Sequence, residues 1–296
     1  MIKSSYHLFN AFGIPVKADL SLFILLFLFI QGGETPFHGL ISGLILLISI
    51  LLHELGHSLT AIAFGCRVRD ITLMIIGGQA SLCSMPRKYW QELLMAAAGP
   101  AVSLLLCIAG FFLPILLHTL GFLSNALAGF LVESIGLLNF ALFAFNLLPA
   151  FPMDGGRMLR AALQIRMSKV RATWIASRIG RFIAAIMIVF AICNILHIQL
   201  PTPNIPGIFG KMIWYFLSSG TFIKLLIGWM IYRAAEQEYQ MVLAEEGYSN
   251  GNPFARFGFP FFGRTTRTPP PDDGQAYVSP PPYERGGSKK VDVRKE

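Results

Sequence analysis

The chain is organised around one stretch, Leu51-Leu52-His53-Glu54-Leu55-Gly56-His57-Ser58, inside an apolar run from about His38 to Phe64. The run is long and apolar enough to cross a bilayer as a helix. Two histidines four residues apart lie one above the other on the same face of a helix. Their imidazoles could bind one zinc ion together, and the glutamate between them could take a proton from a water molecule at the metal. The stretch therefore predicts a membrane helix that carries part of a metallohydrolase site.

The composition indicates a membrane protein. Of the 296 residues, 54% are hydrophobic and 14% are charged, with a mean hydropathy of +0.58, whereas soluble domains average about 25% charged residues. The formal net charge of +8 could indicate nucleic-acid binding. The basic residues lie between apolar runs, however, which is typical of cytoplasmic loops in membrane proteins. We therefore expect no nucleic-acid partner. The four cysteines show neither zinc-finger nor disulfide spacing.

Six apolar runs predict an all-α polytopic membrane protein with about six transmembrane helices. The predicted spans cover about residues 18–31, 38–64, 92–118, 126–149, 174–197 and 208–232. The connections after the first, third and fifth spans contain no Lys or Arg, and the other connections are basic. Because basic residues are retained in the cytoplasm, this alternation predicts cytoplasmic N- and C-termini.

The domain prediction is a membrane domain over residues 1–233 and a largely disordered, Pro/Gly-rich cytoplasmic tail over 234–296. A short polar helix could continue the last span to Glu246, and the proline runs beyond it are typical of disorder. The tail could bind partners or only solvate the C-terminus, and homo-oligomerisation is left open. We expect a multi-pass protein of a bacterial cell membrane.

A shorter apolar segment, Ile71 to Leu82, follows the second span. It is β-branched and interrupted by Gly77 and Gly78, and it is too short to cross a bilayer. This pattern predicts two extended strands around a Gly-Gly turn, in a re-entrant β-hairpin-like loop covered by other parts of the protein. An interfacial loop is the alternative.

A third metal ligand is needed, because catalytic zinc usually has three protein ligands and one position for water. Asp154 follows Pro149 and Pro152, which end the fourth span, and precedes Gly155-Gly156, which allow a tight turn. This arrangement predicts a carboxylate on a non-helical corner near the two histidines. An N-cap role for a helix that begins near Arg157 is the alternative, and Glu92 is a second candidate at a suitable depth.

The chain resembles the site-2 protease family, intramembrane zinc metalloproteases that cut membrane segments of other proteins. His53-Glu54-Leu55-Gly56-His57 and the stretch from Asn146 to Gly156, which contains Pro149, Pro152 and Asp154, are similar to its two signatures. Ile76-Gly77-Gly78 and Ala98-Gly99-Pro100 resemble its re-entrant loop and the span that follows. The resemblance covers roughly residues 10–200.

This resemblance implies the roles of single residues. His53, His57 and Asp154 would bind one Zn²⁺ per chain, and Glu54 would be the catalytic base. Asn146 would hold substrate or the developing oxyanion, with a polar helix contact as the alternative. Gly77 and Gly78 would align an unfolded substrate strand.

The chain also departs from the family pattern. Ser103 stands where many members have Asn. The 96 residues between His57 and Asp154 leave no room for the PDZ domain of larger members, and the tail is too short for cystathionine-β-synthase-like repeats. We therefore expect a short form, whose regulation and substrate choice are not determined by the resemblance.

The expected function is hydrolysis of peptide bonds in or near the transmembrane segment of a membrane-protein substrate, in regulated intramembrane proteolysis. A zinc transporter or metal sensor is the alternative from another class, because membrane ligands would suit it too. Glu54 argues against it, since metal flux does not need a carboxylate at that spacing. A scaffold that holds zinc only for stability is a third alternative.

Overall fold

A computed structural model describes residues 5–196, except Ile76, Met85 and Arg87, together with Ile198 and residues 222–246. The strands are β1 (Ser5–Ala11), β2 (Ile14–Asp19), β3 (Val68–Met74) and β4 (Gly77–Leu82). The helices are α1 (Ser21–Gly32), α2 (Pro36–Ala63), α3 (Tyr89–Thr119), α4 (Asn125–Leu131), α5 (Leu138–Asn146), α6 (Asp154–Leu163), α7 (Lys169–Ile195) and α8 (Phe222–Glu245), with a π-helical segment, Val132–Leu137, between α4 and α5.

The described helices make this a multi-pass membrane protein. Four segments are long and apolar enough to cross a bilayer: α2, α3, the continuous segment Asn125–Asn146 and α7. They correspond to the second to fifth predicted spans. Large apolar side chains such as Phe112 of α3, 68% exposed, fit a surface in contact with lipid.

The first and sixth predicted spans do not correspond to helices that are long and apolar enough to cross a bilayer among the described residues. The first corresponds to α1, whose 12 residues extend about 18 Å and are shorter than a hydrocarbon core of about 30 Å. Residues 208–221 of the sixth predicted span lie outside the described residues. The remainder of that span belongs to α8, which continues to Glu245, as the predicted polar extension requires. The predicted domain boundary at 233/234 stays a prediction.

The predicted hairpin is confirmed as β3 and β4, but its turn is not the Gly-Gly pair. Gly77 and Gly78 are the first residues of β4 and pair with Met74 and Leu73 of β3. Gly77 has a φ of +132°, a conformation that L side chains rarely adopt. The glycine is therefore required at the start of the strand and not within the turn.

The hairpin belongs to a larger sheet that the sequence pattern did not indicate. Four strands lie in the order β1-β2-β3-β4, with antiparallel β1/β2 and β3/β4 pairs and a parallel β2/β3 pair. Lys17 of β2 forms an ion pair with the buried Asp70 of β3 at 2.6 Å. Burial alone would raise the pKa of the Asp70 carboxyl, but hydrogen bonds from Lys17 and Ser81 and the nearby positive charges hold the pKa below its usual value.

The sheet packs against α2 at the position of the histidine motif. One buried apolar cluster joins Ile50 and Leu55 of α2 to strand residues that include Val16, Ile71 and Leu73. Burial of these side chains stabilises the contact and places β4, an edge strand among those described, beside the half of α2 that carries His53 and His57.

The other side of α2 crosses α3 very closely. A Cβ atom on Gly56 would lie 2.9 Å from the backbone oxygen of Ala98, so only glycine permits this separation of the two helices. The central glycine of the motif therefore has a packing role that brings α3 up to the histidines.

Candidate metal centre

Three side chains from distant parts of the chain meet at one point. His53 and His57 lie on α2, and Asp154 is the first residue of α6. Asp154 Oδ2 lies 3.1 Å from Nε2 of His53 and 3.1 Å from Nε2 of His57, and the two Nε2 atoms are 3.2 Å apart. The structure therefore brings together the two helical histidines and the carboxylate proposed from sequence as their partner.

The arrangement of these atoms fits a zinc ion. Zinc binds His nitrogen and Asp oxygen at about 2.0–2.2 Å in tetrahedral geometry, which separates neighbouring ligand atoms by about 3.3 Å. The three separations in the structure, 3.1, 3.2 and 3.1 Å, are close to that value. In the part of the chain that the structure describes, His53, His57 and Asp154 form the group of His, Cys, Asp or Glu side chains that lie close enough together to hold a metal ion. Three protein ligands leave one tetrahedral position for water.

The second nitrogen of each imidazole is held by α3. His57 Nδ1 lies 2.7 Å from the backbone oxygen of Met95, and His53 Nδ1 lies 2.8 Å from Ser103 Oγ. A carbonyl oxygen only accepts hydrogen bonds, so Nδ1 of His57 carries the proton and its Nε2 presents a lone pair to the site. Such partners fix the tautomer and ring orientation of metal-binding histidines.

Asp154 lies at the start of a helix and not on a non-helical corner, which corrects one prediction. The N-cap of α6 is Met153, and Asp154 follows it in the first turn. Asp154 is therefore not the N-cap of α6, and its Oδ2 lies next to the two imidazoles instead. A negative charge in the first turn also interacts favourably with the helix dipole.

The two glycines after Asp154 also differ from their prediction. Both lie within α6, and neither forms a tight turn. A Cβ atom on Gly156 would lie 2.7 Å from backbone atoms of Ala150 and Phe151, and one on Gly155 would overlap the backbone oxygens of Leu147 and Leu148. The glycines allow α6 to fold back against the segment that precedes it, which places Asp154 at the histidines.

Glu54, which follows His53 on α2, contacts the sheet. Its Oε2 accepts a hydrogen bond of 3.2 Å from the backbone N–H of Ala80 in β4. Gly78 lies against the same side chain, because a Cβ atom there would be 3.1 Å from Glu54 Cδ and closer still to Cγ. The edge strand therefore contacts the residue that the sequence predicts as the catalytic base.

Asn146 forms a local hydrogen bond in the structure. Its Nδ2 donates to the backbone oxygen of Leu142, one turn earlier in α5, at 2.9 Å. Glu92, the other candidate ligand, binds the buried Arg160. Neither Asn146 nor Glu92 belongs to the group of side chains that could hold a metal ion.

Gly99, part of the Ala98-Gly99-Pro100 stretch quoted from the sequence, lies at the site, which the sequence did not predict. A Cβ atom at Gly99 would lie 2.7 Å from His53 Nε2 and even closer to His57 Nε2. Its backbone on α3 therefore forms one wall of the metal site. The sequence signal was the small-residue stretch around Ala98-Gly99-Pro100, which is typical of close helix packing, but it does not indicate what the glycine approaches.

Replacing Ser103 by alanine is expected to weaken zinc binding. Ser103 is fully buried, and without its Oγ the Nδ1 atom of His53 would lose its hydrogen-bond partner. Loss of such a partner typically reduces metal affinity about 10–100-fold. Chelator competition on the purified protein measures this change. Ser177→Ala is the matched control, because Ser177 is also buried but donates to Ala235 of α8. Equal zinc affinity in Ser103→Ala and the unaltered protein would contradict the expected role.

Comparison with known proteins places these features in a family. Residues 42–131 and 114–189 match peptidase family M50. A zinc metalloprotease of Methanocaldococcus jannaschii is 32% identical over 249 residues, which cover 83% of this chain and 64% of that protein. A relative from Synechocystis is 35% identical over 244 residues, covering 76% of this chain and 57% of the relative.

A solved structure is similar in both sequence and fold. The site-2 protease from Methanocaldococcus jannaschii is 32% identical, with a TM-score of 0.53, and the match covers 79% of this chain and 95% of that chain. The present chain spans less than two thirds of the length of the curated relatives from M. jannaschii and Synechocystis.

Proposed function

Because the chain belongs to peptidase family M50, which includes the site-2 proteases, we propose that it is an intramembrane zinc metalloprotease. It hydrolyses peptide bonds in or near the transmembrane segments of membrane-protein substrates, in regulated intramembrane proteolysis. The observation that supports this most directly is the meeting of His53, His57 and Asp154 beside Glu54.

In this proposal His53, His57 and Asp154 hold the zinc ion, with both imidazoles bound through Nε2. When bound, zinc supplies a Lewis acid for the scissile carbonyl and lowers the pKa of the attacking water. Glu54 takes the proton from that water and later delivers a proton to the leaving amine. Its position one residue after His53 keeps the carboxylate next to the site without using it as a ligand.

The β4 edge is proposed to bind the substrate chain. A helical substrate keeps its backbone carbonyls in hydrogen bonds of its own, so the segment to be cut must unwind locally. An extended segment can then pair with an exposed strand edge. β4 has such an edge beside Glu54, because the Ala80 N–H that contacts Glu54 points away from β3. The absence of a side chain at Gly78 allows this edge to lie close to Glu54. Gly77 and Gly78 are proposed to align the substrate strand, and Asn146 is proposed to hold the substrate or the developing oxyanion.

The orientation proposed for the membrane domain follows the charge pattern of the sequence. The basic connections would face the cytoplasm of a bacterial cell, and cleavage would occur in the cytoplasmic half of the bilayer. The metal site lies in the C-terminal half of α2. In this orientation that half of the helix is the one nearer to the water of the cytoplasm.

The test is to map new peptide ends in proteoliposomes that contain the purified protein and a membrane-protein extract. We expect cleavage within or next to transmembrane segments, loss of cleavage when a chelator removes zinc, and recovery when zinc is returned. Zinc flux across the same vesicles is measured in parallel. Cleavage that survives zinc removal, or zinc flux without cleavage, would contradict the proposal, and the second result would favour the transporter.

A further inference from the structure

The helix that carries Asp154 also carries a buried charge, Arg160. Its side chain is 2% exposed, and Nε donates to Glu92 Oε1 of α3 at 2.9 Å. Nη2 binds the same carboxylate oxygen, and Nη1 binds Glu238 Oε1 of α8 at 2.5 Å. We call Arg160, Glu92 and Glu238 the Arg160 cluster.

A buried guanidinium with these partners fixes its helix in more than one direction. Burying a charge is costly unless it is paired and hydrogen-bonded, so Arg160 cannot move away from its carboxylates without a penalty. Arg geometry is planar and directional, which restricts the rotation of α6 as well as its distance from α3 and α8. The guanidinium also lies 5.2 Å from the ring centroid of Phe151, in the turn that leads into Asp154.

The cluster joins the two halves of the metal site. Glu92 lies on α3 one turn before Met95, whose carbonyl holds His57, and two turns before Gly99, which lies against both histidines. Arg160 lies on α6, about 9 Å along the helix from Asp154 at 1.5 Å per residue. The bond between Arg160 and Glu92 therefore sets the position of the carboxylate ligand relative to the helix that orients the imidazoles.

We propose that Arg160 is a positioning residue for zinc binding: its ion pairs tie α6 to α3 and α8 so that Asp154 lies within ligand distance of His53 and His57. The inference rests on the proposed ligand role of Asp154. Zinc binds His nitrogen and Asp oxygen atoms at about 2.0–2.2 Å, so a shift of α6 that moves the Asp154 carboxylate out of this range lowers zinc affinity.

The test compares zinc affinity and thermal stability in variants of the full chain in detergent. Arg160→Lys keeps the positive charge but cannot bind both carboxylates in the same geometry, and we expect zinc affinity to fall about 10-fold or more. Glu238→Gln removes the negative charge that binds Arg160 from α8 but leaves the pair with Glu92 intact, so zinc affinity should fall less. The control is Glu236→Gln, which breaks the ion pair between Arg181 of α7 and Glu236 of α8 without touching α6.

The outcomes separate this inference from the proposed function. Unchanged zinc affinity in Arg160→Lys, while Asp154→Asn loses zinc, would overturn the positioning role and leave the metal site intact. An equal loss of zinc affinity in Glu236→Gln and Arg160→Lys, at equal loss of thermal stability, would show a merely structural role and also overturn it. If Asp154→Asn binds zinc as tightly as the unaltered protein, the proposed ligand set itself is wrong.

Discussion

Replacing Glu54 by glutamine is expected to reduce peptide-bond cleavage by about 10²–10⁴-fold, the usual contribution of a general acid or base, while zinc remains bound. Glutamine has nearly the same shape and can still accept the hydrogen bond from the Ala80 N–H, so the side chain should keep its place. It cannot take a proton from water. Cleavage of a membrane-anchored substrate and zinc content per chain are measured on the same preparation.

Glu133→Gln is the matched control for this variant, because Glu133 is also an acidic residue within an apolar helical segment. Its side chain is exposed and does not belong to the metal group, so cleavage should be unchanged. Normal cleavage by Glu54→Gln would rule out Glu54 as the base. Loss of both cleavage and zinc would instead indicate that Glu54 acts as a ligand.

Replacing Gly99 by alanine is expected to abolish tight zinc binding and with it all cleavage. The new methyl group would lie 2.7 Å from His53 Nε2 and closer to His57 Nε2, which is too close for atoms that are not bonded. Neither imidazole can rotate away freely, because Met95 and Ser103 hold the Nδ1 atoms. We expect the loss of zinc affinity to exceed the roughly 10–100-fold effect of removing one outer partner.

The control for this effect is Gly129→Ala in α4. No atom lies within 4 Å of the position of the new methyl group at Gly129, and alanine is a better helix former than glycine. Zinc affinity and cleavage should therefore remain at the level of the unaltered protein. A Gly99→Ala protein that binds zinc normally would show that the histidines are not where the structure places them.

Much of the helical fold could be predicted from hydropathy alone. The apolar run at 38–64 corresponds to α2 at Pro36–Ala63, and the run at 92–118 corresponds to α3 at Tyr89–Thr119. Long apolar helices are visible in sequence because a bilayer requires many consecutive apolar residues. The strands β1 and β2 were not predicted. They pair with each other, and the place of this pair in the sheet depends on β2 pairing with β3 residues more than 50 positions away, such as Val16 with Ile71.

Local sequence patterns indicated the proposed metal ligands and base. The spacing of His53 and His57 places both imidazoles on one helix face whatever surrounds the helix; the Pro and Gly residues around Asp154 made it a candidate third ligand, and the family resemblance supported that choice. The tertiary structure decided the features that depend on contacts between helices: the wall that Gly99 forms, the orientation of His53 by Ser103, and the link from Arg160 to Glu92 across α6 and α3. Helical periodicity acts over four residues, whereas these contacts join residues 42 to 68 positions apart, so only the packed fold brings them together.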